Sequence, residues 1–596
     1  MKLRVVIALA FVAVAARLIA LQFLHPLNWD ELEFFRASLW IAEGLVPFRD
    51  FWEHHTPLVW YLFAPFTWLS DSPGVSAIVS MRWVQVAVWI VTFWLTNLWM
   101  RGLGIDRFAR WAAMTLALTS SLFMLQATEF RIEAVACALF MAGAVLVQRD
   151  RPFAAGIAWC LVGFANLRFG PLVVLYVLLL LVTRDGRWGF NRRALWILAG
   201  GLTALSAWLL FFAVTGSLDE LVQQVWIDNQ AERYYQRVAG RFVHRLLVPF
   251  GIRLLATDRL FELAAVDVGG AAILLLGAIG VVFAFRRWRS PDGLLVLALP
   301  AIVNLLFIAR MKFIYNYHFA IVVITAIPFI ARLFERVPRR GVIVALLAVS
   351  TAVNVFAAVF RGKELDFEYQ DVILREMHAR TPPGETVFSG AAWPFRREPA
   401  YRFWFLPELV GQMVRHGEGA PYALEDVVAN PPATVVFDHN TWTWLTVVQR
   451  DLAPYFVRHY FPLWRELWIP AMNVRLRPGA SFTWIVPRDG AYRPYVSAPL
   501  ARHPWFRDPL RTASYKREDA SRLTFELREP NAGAVTFDAD LSRLRKGQQL
   551  TATNPSNEEV AVILLATNDR VLFRQPPPGA TLEAETTRVT HVPRLW

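Results

Sequence analysis

Between its first and second membrane-length apolar runs, the chain gathers seven carboxylates (Asp30, Glu31, Glu33, Glu43, Asp50, Glu53 and Asp71) against two arginines, Arg36 and Arg49. Mixed among them are His54, His55, Trp29 and Trp52. Acids beside a lipid phase, interleaved with imidazoles and indoles, point to a polar reaction site that handles a membrane-borne substrate. The chemistry open to this set is proton abstraction by a carboxylate, hydrogen bonding to sugar or phosphate by His54 and His55, and stacking or interfacial packing by Trp52 and Trp60. Glu53, His54 and His55 also carry the donor types of a divalent metal such as zinc, with His244 or His318 as a further ligand from elsewhere. A transporter could use the same residue types.

A structural reading stands beside the chemical one. Asn28-Trp29-Asp30-Glu31 is also a helix N-terminus, with Asn28 as cap, Glu31 at the capping-box position and Gly44 as the stop. Acids in a first helical turn are favoured by the dipole whatever their role. What favours chemistry is the position of Asp30 and Glu31 just past the first apolar run, where a carboxylate can meet an acceptor hydroxyl and a lipid-phosphate donor together.

Two further segments supply cations. Glu129-Phe-Arg131-Ile-Glu133 holds an arginine between acids, either a structural ion pair or a phosphate contact. Arg310 and Lys312 lead into Tyr315 and Tyr317, and Lys312 is the only lysine between Lys2 and Lys363. A lone lysine at a membrane boundary suits a phosphate site, and snorkelling at the end of a span explains it equally.

These segments need a scaffold, and composition names it. With 56% hydrophobic and 18% charged residues, the chain reads as a polytopic membrane protein. Eleven spans are expected, near 5–24, 75–100, 108–126, 133–147, 153–166, 169–183, 194–214, 266–285, 293–309, 317–334 and 341–360. The first reads as an uncleaved anchor, and Pro57–Leu69 as re-entrant or interfacial. With a cytoplasmic N-terminus, the short inner loops and span ends carry 17 Lys and Arg residues, whereas Arg131, Arg168, Arg310 and Lys312 are the four in short outer loops. The charge of +13 is thus an orienting charge in loops, and nucleic acid is excluded as a partner. Cys137 and Cys160 fall inside apolar runs and read as small buried hydrophobes.

After Phe360 the membrane pattern stops. Residues 361–470 read as a small α/β domain, with a helix at Phe367–Arg380, strands at Thr386–Ser389, Ala433–Asp438 and Glu466–Pro470, and helical character over Trp442–Tyr460. Residues 471–596 read as a β-rich sandwich, from runs at Ser481–Val486, Leu523–Leu527, Ala534–Phe537 and Glu559–Ala566. The parity of the spans puts both outside the cytoplasm. Such a sandwich could bind carbohydrate or serve as a packing module.

Asp30-Glu31, Val46-Pro-Phe-Arg-Asp-Phe51 and Glu53-His-His-Thr-Pro-Leu58 together resemble the first external loop of GT-C glycosyltransferases, notably family 39 and its relatives among protein O-mannosyltransferases and aminoarabinose transferases. Glu129-Phe-Arg131-Ile-Glu133 resembles that family's arginine-then-acid motif, with Glu133 where an Asp is more usual, and Lys312-Phe-Ile-Tyr315-Asn-Tyr317-His318 resembles its late lysine and tyrosine loop.

The resemblance implies a GT-C membrane domain over residues 1–360, with its first external loop at 25–74, and residues 361–470 resemble the small external domain some relatives carry; the β-rich residues 471–596 lie outside the resemblance. It implies transfer of a sugar from a polyprenyl-phosphate donor to a hydroxyl of a lipid, polysaccharide or protein at the outer face of a bacterial inner membrane, usually with inversion. Asp30 is then the base and Glu31 positions acceptor or sugar. Arg131, Glu133, Lys312, Arg310, Tyr315, Tyr317, His54 and His55 attend donor phosphate or sugar. No cofactor is required, with a divalent metal at Glu53, His54 and His55 as an option. The external loop 216–265 could cover the site. A transporter or flippase of lipid-linked glycans is the alternative; it would show repeated halves and interrupted helices near the midplane. A glycan-binding assembly factor with an inert site would show an aromatic sugar platform.

Overall fold

The computed structural model describes residues 2–184, 187–234, 247, 250, 267–286, 292–311, 315–361, 367–405, 407–417, 423–438, 441, 452–464, 467–497, 523–528, 535–537 and 541–566. The chain divides into two compact units, Met1–Gln370 and Asp371–Trp596. Lys312, His244 and Trp442–Arg450 lie outside the described residues.

The first unit is helical, and each expected span has a helix in its place. Five helices are long and apolar enough to cross a membrane by themselves: Ser76–Gly102, Arg192–Val214, Val268–Phe285, Gly293–Arg310 and Tyr317–Phe334. Counting each of two sharply bent helix pairs as one span raises this to seven, among the described residues. Shorter apolar helices follow at Ile132–Gln148, Pro152–Ala165, Leu167–Leu181 and Arg340–Phe356. Leu58–Phe63 and the 3-10 segment Ala64–Leu69 are far shorter than a bilayer requires.

One expected span is corrected. Residues 108–126 do not form a straight helix: Arg107–Leu118 and Ser121–Thr128 meet at 75°. Thr119-Ser120-Ser121 interrupts the apolar run, and Ser120 is extended at φ −72° and ψ 130°. The break is held by Asp267, whose Oδ2 accepts from Ser120 Oγ at 3.1 Å and Ser121 N at 2.8 Å while its Oδ1 caps Gly270 N at 2.9 Å. Asn354 Nδ2 donates to the Thr119 carbonyl at 2.8 Å, so the kink keeps its backbone groups satisfied inside the unit.

Elsewhere, small residues set the helix spacing. Pro152–Ala165 and Arg192–Val214 pack through Gly156 and Gly200, where an added Cβ would collide with the Ile197 and Phe153 carbonyls respectively.

The second unit has a five-stranded mixed sheet in the order Glu398–Pro399, Thr386–Ser389, Thr434–Val436, Leu467–Pro470, Tyr460–Trp464. Its first three strands are parallel and its last two antiparallel to their neighbours. Two antiparallel sheets follow, one of three strands around Val560–Ala566 and one of four around Thr524–Arg528 and Gln549–Thr553. Met472, Val474, Val562 and Leu564 from the first share one core with Trp484, Phe525 and Leu550 from the second, which is sandwich packing.

Gly156→Ala should overpack the closest helix contact and cost about 1–3 kcal/mol, read as a lowered unfolding temperature in detergent. The same change at Gly163, which has open space around it, should leave that temperature nearly unchanged.

Candidate functional site

The site starts with a cap. Asn28 Oδ1 accepts from Asp30 N at 3.2 Å and Asn28 N donates to Glu31 Oε2 at 2.9 Å, the capping box expected for helix Trp29–Ala42. Gly44, at φ +92°, ends the turn that follows, a conformation glycine adopts without a Cβ penalty. The capped first turn aims Asp30 and Glu31 in different directions.

Glu31 is fully buried and gripped by Arg82, with Nε to Oε1 at 2.7 Å and Nη2 to Oε2 at 2.6 Å. With Asn28 N already donating to Oε2, Phe130 N adds a fourth donor at 2.8 Å. Arg82 spends its remaining donors on the carbonyls of Gln22, His25 and Pro26. The expected acceptor or sugar contact of Glu31 is therefore corrected: its oxygens are sealed in protein hydrogen bonds. Arg82 was missed as a site residue, although a charge inside the apolar run 75–100 is itself a signal.

Arg131 is 1% exposed and faces three carboxylates: Asp30 Oδ2 at 2.5 Å, Glu129 Oε2 at 3.0 Å and Glu133 Oε2 at 3.4 Å. The face of its guanidinium lies 3.4 Å from the centre of the Tyr317 ring. Glu129 is further held by His25 Nε2 at 3.0 Å and Asn28 Nδ2 at 3.3 Å, and Glu133 by Asn166 Nδ2 at 3.2 Å. Burial alone would raise the Glu129 carboxyl, but His25 and Arg131 overcome it and hold it below the usual carboxylate range. Arg131 and Glu133 thus sit in the ion-pair arrangement rather than facing open space.

Exposure separates the acids. Asp30 keeps 21% of its side chain exposed, against 9% for Glu129 and 1% or less for Glu133, Glu31, Glu33 and Glu53. Asp30 is the carboxylate of this cluster that a substrate can reach.

The late loop joins the cluster. Tyr315 and Tyr317 stack with centroids 5.1 Å apart, and buried His318 sits edge-on to Tyr317 at 4.5 Å. His318 Nε2 lies 2.8 Å from Arg168 Nη1, so Arg168, read from sequence only as an outer-loop charge, belongs here. Arg310 is exposed at the end of helix Gly293–Arg310.

The loop after the helix is locked from below. Gln224 accepts from Glu53 N and donates to the Phe48 carbonyl, and Asn229 Nδ2 donates to the His54 carbonyl, so the described part of the expected covering loop grips this segment. Trp52 and Trp60 are 2% and 0% exposed, which corrects their expected stacking on a sugar or at the interface. Trp52 Nε1 instead donates to Asp228 Oδ2 at 3.2 Å.

The expected metal trio is also rearranged. His54 and His55 come together with ring centroids 3.8 Å apart, but the third donor in range is Glu33, which the sequence reading left unassigned. Glu33 Oε1 is 3.6 Å from His54 Nδ1 and 3.9 Å from His55 Nε2. Glu53 Oε1 accepts from His54 N at 2.8 Å and lies 3.1 Å from His54 Nδ1. His318 pairs with Arg168 rather than joining this trio.

The buried pair predicts a sharp asymmetry in stability. Arg82→Met alone, which strands Glu31, should cost roughly 3–5 kcal/mol. The double change Glu31→Leu with Arg82→Met should recover much of that loss, as read by thermal unfolding in detergent.

No protein-family model and no curated protein matches the chain by sequence. Among solved structures, ArnT from Cupriavidus metallidurans, bound to undecaprenyl phosphate, aligns with a TM-score of 0.50 at 14% identity, over 74% of this chain and 94% of that one. An oligosaccharyltransferase from Archaeoglobus fulgidus, in complex with Zn and sulfate, aligns with a TM-score of 0.37 at 12% identity, over 79% of this chain and 72% of that one, a likeness too weak to carry weight. At this identity the likeness to ArnT is one of architecture: the chain is a polytopic membrane protein with the GT-C fold.

Proposed function

We propose that the protein is a glycosyltransferase that moves a sugar from a polyprenyl-phosphate donor to a hydroxyl acceptor, with Asp30 as general base. The observation that carries this reading is the exposure of Asp30 alone in a cluster whose other acids are sealed. The architecture shared with ArnT, which was solved bound to undecaprenyl phosphate, supports a lipid-phosphate donor.

In the proposed step, a carboxylate oxygen of Asp30 takes the acceptor's proton as the acceptor oxygen attacks the anomeric carbon. The bond from that carbon to the phosphate oxygen breaks, and its electron pair leaves with the lipid phosphate. One base and one displacement invert the anomeric centre. Arg131 holds Asp30 Oδ2 and so orients the carboxylate toward the acceptor.

The leaving phosphate develops charge beside lipid and needs a cation there. Arg131 is spent on three carboxylates, so we assign the phosphate contact to Arg168, which is half-buried, with the exposed Arg310 and the sequence neighbour Lys312 as further cations. Tyr315 and Tyr317 back this side of the site. Glu31, Glu129 and Glu133 are positioning residues. Charge asymmetry supports an inner-membrane protein with a cytoplasmic N-terminus and this cluster outside. The acceptor is a lipid, polysaccharide or protein hydroxyl.

The two bent helix pairs, Ala8–Leu24 with Trp29–Ala42 and Arg107–Leu118 with Ser121–Thr128, are what favours transport of a lipid-linked glycan instead.

A panel of polyprenyl-phosphate sugars tests both. Wild type should transfer from at least one donor, and Asp30→Asn should lower the rate by about 10²–10⁴-fold. Full activity of Asp30→Asn removes it as base; no transfer from any donor, with lipid translocation in vesicles, would make the protein a transporter. Arg168→Ala should raise the donor KM by roughly 10–100-fold, the worth of one charge-assisted hydrogen bond, and Arg168→Lys should recover part of it.

A further inference from the structure

We infer that Glu33, His54 and His55 form a binding site for a zinc-class divalent cation, one helical turn along from Asp30. The site stands apart from the transfer reading, since its occupancy can be measured on an inactive protein.

The argument begins with unmet hydrogen-bonding capacity. Glu33 is 0% exposed and neither of its oxygens receives a hydrogen bond; Glu53 is 1% exposed and its Oε2 receives none. A buried carboxylate without donors is among the costliest arrangements a protein can hold. Two guanidiniums of the cluster pair with other acids, Arg82 with Glu31 and Arg131 with Asp30, Glu129 and Glu133. Glu33 and Glu53 together would leave two negative charges, the amount one divalent cation neutralises.

The donors fit such an ion. One ligand atom from each of Glu33, His54 and His55 lies within 4.8 Å of the others. Tetrahedral zinc with nitrogen and oxygen ligands needs donor atoms about 3.3 Å apart, close to the 3.6 and 3.9 Å from Glu33 Oε1 to His54 Nδ1 and His55 Nε2. Two imidazoles and one carboxylate are the donor set of zinc and its transition-metal neighbours, not of calcium or magnesium.

Glu53 supports the site from outside it, through Oε1 to the backbone N of His54. His55 retains 18% side-chain exposure, so a water or substrate group could complete the coordination. A bound ion would clamp the 53–55 loop to helix Trp29–Ala42, on the face that also carries Asp30 three residues earlier.

The rival account is proton sharing between Glu33 and Glu53 with no ion. Full-length protein purified in detergent should contain about one zinc per chain by mass spectrometry, and chelation followed by Zn2+ should lower and then restore the unfolding temperature. Co2+ added to the chelated wild type should give the intense visible absorption of tetrahedral nitrogen and oxygen coordination. Glu33→Gln, close in shape, should lose the bound metal and the Co2+ spectrum while Asp219→Asn, outside the cluster, keeps both. Wild-type protein with no metal above background, no thermal response to Zn2+ and no Co2+ spectrum would overturn the site in favour of the shared proton.

Discussion

The buried ion pair between Glu31 and Arg82 is the contact on which the arrangement of the cluster depends. Both partners are fully buried, and a pair in that position is tolerable only if every remaining donor and acceptor is satisfied. Arg82 meets this by capping the carbonyls of Gln22, His25 and Pro26, and Glu31 by accepting from Asn28 N and Phe130 N. The signs also suit the backbone dipoles: a cation at the carbonyl end of helix Lys2–Leu24 and an anion at the amide end of helix Trp29–Ala42. One ion pair therefore fixes the turn between two helices and the loop that carries Arg131. Asp30 is placed as a consequence.

The six acids around this point have different fates because they meet different partners. Glu31 is neutralised by its own arginine, and Glu129 and Glu133 share Arg131 with Asp30. Glu33 and Glu53 face two imidazoles instead of a guanidinium. The three environments suit these carboxylates to different chemistry: an acid sealed by donors can orient, an acid held at one oxygen and open at the edge can take a proton, and an acid buried without donors is costly unless a cation or a proton meets it.

Much of the scaffold could be read from the chain because it depends on local pattern. Apolar run length located the helices of the first unit, and Asn28, Glu31 and Gly44 marked both ends of helix Trp29–Ala42. Helix Phe367–Arg380 and strand Thr386–Ser389 fall where propensity put them. The kink at Ser120 escaped because it depends on Asp267, 147 residues away. Pairing within the cluster escaped for the same reason: Glu31 finds Arg82 51 residues on, and no local signal distinguishes Glu33 from Glu31 as the acid turned to His54. Trp52 and Trp60 looked like sugar platforms because indoles beside acids are common there, yet they bury themselves under the loop. Arg131 stayed open between an ion pair and a phosphate contact because a sequence does not show how many acids converge on one guanidinium.

In the proposed transfer, a lipid phosphate docks on the Arg168 side of the cluster, with the acceptor entering against Asp30. A structure of the full-length protein with undecaprenyl phosphate tests this without knowledge of the sugar. The phosphate should lie against Arg168, with its phosphorus within about 8 Å of an Asp30 carboxylate oxygen, the span of an anomeric carbon and an attacking hydroxyl in line. A phosphate held elsewhere on the protein, with Asp30 out of that range, would contradict it.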